Sequence, residues 1–207
     1  MGLQERIELY KKIENSKIKE GVEFVFEQHS ELSEIGTKER YSVYLDTVFS
    51  SSKVKDIVYK GTNIRTKEDY EDKDTLRRER GVFFSKSKDS ALTYSVDTNT
   101  IIAARVNTQT PLILNADGNE FNKLSDAVKY LNKEYFDTNN LITDVKKDNK
   151  HDSVIIENVK DDRLAFKSKD ISTTISVFEP EQIYILASKQ DIEGFKKYIE
   201  KYTESQS

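Results

Sequence analysis

The chain has 207 residues, 34% of them charged and 36% hydrophobic, with a formal net charge of −4 and no cysteine. That length supports one domain with a full core, and 11 Tyr with 10 Phe argue against a disordered chain. Disulfides, thiol nucleophiles and thiolate metal sites are excluded, and no basic block of the kind that neutralises duplex phosphates stands out.

The two histidines, His29 and His151, are too far apart to form a local metal-ligand pattern, so no metal is expected. The first residues, "MGLQERIELYKK", are charged at once, and no apolar run approaches the roughly 18–20 residues of a membrane span. A soluble, cytoplasmic protein is the expectation. "TLRRERG" (75–81) is the densest basic cluster, but Glu79 interrupts it, and it reads as a solvated loop.

In chain order, Leu3, Ile7, Tyr10 and Ile13 predict a first helix, and Val22, Val25, Phe26 and His29 a second, with Gly21 weakening it from within. Gly36 closes "SELSEIG", and Thr37 caps a third helix carrying Tyr41, Leu45, Val48 and Phe49. "SSSK" (50–53) is the boundary candidate, dividing a helical lobe over 1–52 from a second unit over 53–207. Beyond it, short β-rich runs predict strands over 56–61, 81–85, 100–106, 111–115, 153–159, 173–178 and 182–187. A short helix starts at Ser87 or Asp89, a second spans 122–136 with Leu124, Val128 and Leu131 on one face, and a third spans 189–204. The stretches 62–80 and 137–152 lack periodicity and read as long surface loops. Strands and helices do not alternate regularly, so a mixed α+β fold is expected rather than a doubly wound parallel sheet.

Three stretches carry the functional signal. "VYKGT" (58–62) is a strand running into a glycine, and Lys60 is either a solvated strand end or a ligand-binding group. In "GVFFSKSKDSALTYS" (81–95) only one of Phe83 and Phe84 can face a half-buried interior, which leaves the other for a second layer or a ligand. "TTISVFEPEQIYIL" (173–186) is a strand, a proline turn and a second strand.

Taken in order, these three stretches resemble the ADP-ribosyltransferase superfamily, and most of all the domains of phage polyvalent proteins and related bacterial mobile elements. That family reads "VYHGT", then "GIYF" with a following helix ending in Tyr, then "EYVVFEPEQI". "HDSVIIENV" (151–159) resembles the family's "DGVI…N" strand, with Ser153 where glycine is usual, and the likeness covers roughly residues 34–200.

The resemblance implies a split β-sandwich of two small packed sheets, with NAD bound as substrate in the cleft between them. It implies a histidine–tyrosine–glutamate triad that binds ribose, stacks on nicotinamide and stabilises the oxocarbenium-like state as nicotinamide leaves. By position, Gly61 pairs with the carboxamide, Thr62 follows it, and Tyr94 is the second stacking aromatic. The triad itself is degenerate: Lys60 stands for histidine, Phe83 for tyrosine and Thr174 for glutamate. Phe83 keeps the π-face, Lys60 keeps a donor and adds charge, and Thr174 loses a carboxylate. Glu179 and Glu181 resemble the Glu-x-Glu of another branch of the superfamily, and Ser85-Lys86-Ser87 its Ser-Thr-Ser; the alternative is that "EPE" is only a turn. Two functions follow from the resemblance. One is transfer of ADP-ribose to a protein or nucleic-acid target with weakened catalysis. The other is an inactive binding or structural module of phage or mobile-element origin, virion-associated or acting on host proteins in a bacterial cytoplasm.

Overall fold

In the computed structural model the described residues are Gln4, Glu8, 16–62, 81–95, 101–124, 128–161 and 170–203. The helix predicted on Leu3, Ile7, Tyr10 and Ile13 lies outside them, as do the loop residues 63–80. Helix α1 (Val22–Gln28) buries Val22, Val25 and Phe26 of the predicted stripe, while His29 follows the helix as its C-cap. Gly21 precedes this helix as its N-cap, at φ 91°, and does not sit inside it. The left-handed backbone there is one that glycine adopts without a Cβ penalty.

Helix α2 (Glu31–Ile35) ends at Gly36, and α3 (Lys38–Thr47) is capped by Thr37, whose hydroxyl accepts from the Arg40 N–H at 3.3 Å. These three helices find their partner surface on the sheet and on the last helix. Leu32, Tyr41, Tyr44 and Leu45 share one core with Ile57, just before the first strand, Tyr59 in it, Ala103 of the third, and Phe195.

Seven strands form one mixed sheet in the order β4-β7-β8-β2-β1-β3-β9. They are β1 (Val58–Gly61), β2 (Val82–Ser85), β3 (Ile101–Val106), β4 (Pro111–Asn115), β7 (Ser153–Val159), β8 (Ser172–Val177) and β9 (Ile183–Ile185). Of these pairings only β4 with β7 is parallel.

Two separate sheets were expected from the sequence; the hydrogen bonding instead runs through all seven strands. The sheet does pinch between β1 and β2, where the one registered pair is Tyr59 with Ser85. Four pairs, by contrast, join β1 to β3 and β2 to β8. Val58, Ala104, Val106 and Ile183 from one half pack with Val82, Phe84, Ile175 and Val177 from the other. The halves therefore fold toward each other over a common interior. They stay joined because β1 and β2 would each leave buried backbone groups unpaired along a free edge.

The stretch from 122 to 152 differs from expectation in both parts. Where a helix was predicted, β5 (Lys129–Tyr130) and β6 (Lys133–Glu134) form a hairpin. Its turn residues Leu131 and Asn132 have φ of 52° and 60°, the backbone of a two-residue type I′ turn. Leu124 and Val128 are buried as a helical face would be, but Leu131 is turned outward at 44% exposure, and Tyr135 is buried in its place. Where a loop was predicted, α5 (Thr138–Asp148) buries Leu141, Ile142 and Val145. Asp137 caps it, accepting from the Asn140 N–H at 2.8 Å. Asn149 ends it in the left-handed region. This helix packs on Val154 and Ile156 of β7, forming a third core.

Helix α4 (Lys88–Leu92) starts at Ser87, and α6 (Lys189–Thr203) closes the described chain as predicted. The stretch joining α3 to β1 is pinned to β3. Arg105 is fully buried, and its guanidinium donates to the carbonyls of Lys55, of Asp56 at 3.4 Å and of Val48 at 3.4 Å. Ser52 is buried beside it and donates to the Val106 carbonyl at 2.7 Å.

Candidate active site

The cleft opens where the sheet pinches. β1 ends at Lys60-Gly61, β2 runs beside it, and α4 crosses over β1 before the chain reaches Tyr94. A Cβ on Gly61 would fall inside the van der Waals shell of the Ala91 carbonyl oxygen and crowd the Ser95 nitrogen at 2.9 Å. Glycine is required there because the α4 backbone lies directly on the strand.

The result is a cavity of about 260 Å³ whose wall includes Lys60, Gly61, Phe83, Ser90, Tyr94, Phe121, Asn139 and Asp161. Strand alternation distributes the side chains. Tyr59 faces the helical core and Phe84 the interior shared by the two halves. Lys60 and Phe83 point the other way: both line the cleft, which Tyr59 and Phe84 also border, and Phe83 packs in addition against the third core.

The Lys60 ammonium reaches across the junction and donates to the Phe83 carbonyl at 3.5 Å. Opposite it, Asp161 follows the end of β7, and each of its carboxylate oxygens receives a hydrogen bond. The Tyr94 hydroxyl donates to Oδ1 at 2.6 Å, and the Thr174 hydroxyl to Oδ2 at 2.6 Å. The Ser90 hydroxyl is buried on the same wall with no hydrogen-bond partner among the described residues. One cavity therefore presents a cation, a carboxylate and aromatic rings.

A model of the family described as ADP-ribosyltransferase in polyvalent proteins matches residues 54–191, two thirds of the chain. The chain belongs to that family. No curated protein and no solved structure matches it. The matched residues span every strand from β1 to β9 and reach the first turn of α6.

In this ADP-ribosyltransferase-family chain the sequence-derived site residues separate into three groups. Lys60, Gly61, Phe83 and Tyr94 meet in the cleft. Ser85 and Thr62 are buried beside it. The Ser85 hydroxyl, although at the cavity wall, pairs with Ser172 at 2.9 Å and accepts from the Ser87 N–H at 3.1 Å, so it builds the turn into α4. Thr174 sits opposite Ser85 in the sheet and directs its hydroxyl to Asp161.

Glu179 and Glu181 are not on the cavity wall. β8 runs antiparallel to β2, so that Thr174 lies opposite Ser85 at the cleft end and Val177 opposite Val82 at the other. Residues past Val177 therefore lie roughly 10 Å or more along the strand from Thr174. There Glu179 caps a 3₁₀ turn over Pro180–Gln182 and pairs with Lys146 at 3.5 Å, while Glu181 is exposed. The "EPE" stretch forms a turn.

Asp161, Ser90, Phe121 and Asn139 carry no sequence signal that picks them out. Asp161 in particular follows an ordinary strand in "NVKDD". Its approach to Thr174 depends on an irregularity between Ile156 and Val159 in the β7–β8 pairing. Among the described residues no group of three or more His, Asp or Glu is placed to hold a metal ion. No described helix is long and apolar enough to cross a membrane.

Proposed function

We propose that this chain binds NAD as a substrate in the cleft between β1, β2 and α4, and transfers ADP-ribose to a protein or nucleic-acid acceptor at a reduced rate. The observation that carries the reading is the convergence of Lys60, Phe83, Tyr94 and Asp161 on one cavity. A flat, apolar-edged ring fits against Phe83 and Tyr94. The Lys60 ammonium suits ribose or pyrophosphate oxygens. A cavity of about 260 Å³ is near the lower end of small-molecule sites. It suits the nicotinamide and its ribose, with the remainder of the dinucleotide lying along the open mouth.

A second reading, an inactive module that keeps the fold and binds without turnover, is favoured by one observation: the family's glutamate position holds Thr174. In either reading we place the protein in a bacterial host cytoplasm, with a phage or mobile-element origin that accords with the polyvalent-protein family. Calorimetric titration of the full chain with NAD⁺ tests the shared claim. Saturable binding that weakens at least tenfold in Tyr94→Ala is expected. No heat at millimolar NAD⁺ would leave only the scaffold.

A further inference from the structure

The loss of glutamate at Thr174 need not remove the carboxylate from the cleft. We infer that Asp161 is the catalytic carboxylate of this chain and that Thr174 has become its positioning residue; this rests on NAD being the substrate. Among the described residues Asp161 is the one acid on the cavity wall. Its two donors, Tyr94 and Thr174, are both neutral, so they orient the group without cancelling its charge. A carboxylate oxygen has more than one acceptor site, which leaves capacity on each oxygen for a ribose hydroxyl. The 2.6 Å contact to Thr174 also means that the Asp161 carboxylate stands next to the position it replaces. The charge has moved from one strand to the end of its neighbour.

The chemistry is dissociative. The bond between ribose C1′ and the nicotinamide nitrogen breaks, and its electron pair leaves with nicotinamide, which becomes neutral. The positive charge passes to the ribose as an oxocarbenium-like centre, which the Asp161 carboxylate faces without forming a bond. A nucleophilic oxygen, from water or from the acceptor, then bonds to C1′ and releases its proton to solvent. With water the products are nicotinamide, ADP-ribose and one proton. A preorganised charge of this kind contributes about 10²–10³ in rate.

The test measures nicotinamide release and NAD⁺ affinity together in wild type, Asp161→Asn, Thr174→Val, and Asp161→Asn combined with Thr174→Glu. Asparagine can still accept from Tyr94 or Thr174, so Asp161→Asn should lower kcat roughly 10²–10³-fold with Kd little changed. Thr174→Val removes one charge-assisted hydrogen bond and should lower kcat about tenfold or more, again with little effect on Kd. Thr174→Glu should restore release in the Asp161→Asn background, because it returns a carboxylate to the adjacent position. If Asp161→Asn does not fold, the Thr174→Val loss and an active Asp161→Glu variant carry the test. Wild type that binds NAD⁺ without releasing nicotinamide, or an Asp161→Asn rate equal to wild type, would overturn this assignment and leave NAD binding standing. Wild type that does not bind NAD⁺ at all would instead overturn the reading on which it rests.

Discussion

Asp191 offers a stability measurement whose sign is fixed by the structure. Its carboxylate is buried in the first turn of α6, where Oδ2 accepts from the Tyr41 hydroxyl and from the Ala187 N–H at 2.6 Å. Tyr44 and Tyr184 also face it, and Oδ1 has no partner among the described residues. Among the described residues no cation compensates the burial, which pushes the carboxyl up from 3.8 to about 6 against the hydrogen bonds that oppose it. The folded protein therefore holds this proton more tightly than the unfolded chain does. The stabilisation is fully present below pH 3.8 and is lost as pH rises through about 6. At about 1.4 kcal/mol per tenfold change in proton affinity, the span amounts to about 3 kcal/mol. Asp191→Asn keeps the acceptor used by Tyr41 and Ala187 and does not titrate. The stability of the variant relative to wild type should rise by about 3 kcal/mol between pH 3.5 and 7.5, a change of roughly 6–12 °C in relative Tm for a chain of this size. Thermal melts at half-unit pH intervals measure it, and other titrating groups cancel in the difference. A pH-independent difference, or a variant that loses ground as pH rises, would show that Asp191 is not held in this environment.

Other perturbations discriminate further features of the fold and cleft. Leu131→Gly should raise stability by about 1 kcal/mol in urea denaturation, because the left-handed turn penalises a side chain; a helix over 122–136 would lose about that much instead. Gly61→Ala should cost about 1–3 kcal/mol by forcing α4 off β1, read as a lower Tm with weaker NAD⁺ binding. Lys60→Ala should weaken NAD⁺ binding and flatten its dependence on salt, as followed by calorimetry at two ionic strengths. Glu179→Gln with Glu181→Gln should leave nicotinamide release within about twofold of wild type, since the turn lies away from the cleft.

Much of the scaffold was legible because its signals are local. Short β-rich runs bounded by polar turns located all seven strands of the main sheet, with β4 and β7 matching to the residue. Thr37, Ser87 and Gly36 marked helix ends through capping chemistry. The failures came where a pattern had two physical meanings. Leu124, Val128 and Leu131 fit a helical face, but Leu131-Asn132 also makes a hairpin turn, and the capped Asp137-to-Asn140 start of α5 was hidden in a charged stretch. The joining of the halves through the single Tyr59–Ser85 pair is a tertiary fact with no local trace. At the site, the strand ends and their glycine were readable, whereas Asp161 was not. Its place beside Thr174 depends on β7–β8 register, and nothing in "NVKDD" distinguishes it from any exposed acid.

The central claim is that the cleft holds the nicotinamide–ribose end of NAD. Saturation-transfer difference NMR of NAD⁺ with the intact chain reports directly which ligand protons touch protein. The account predicts the strongest transfer at the nicotinamide ring and its ribose, abolished in Tyr94→Ala and displaced by excess nicotinamide. Transfer confined to the adenine end, or none at millimolar NAD⁺, would contradict it.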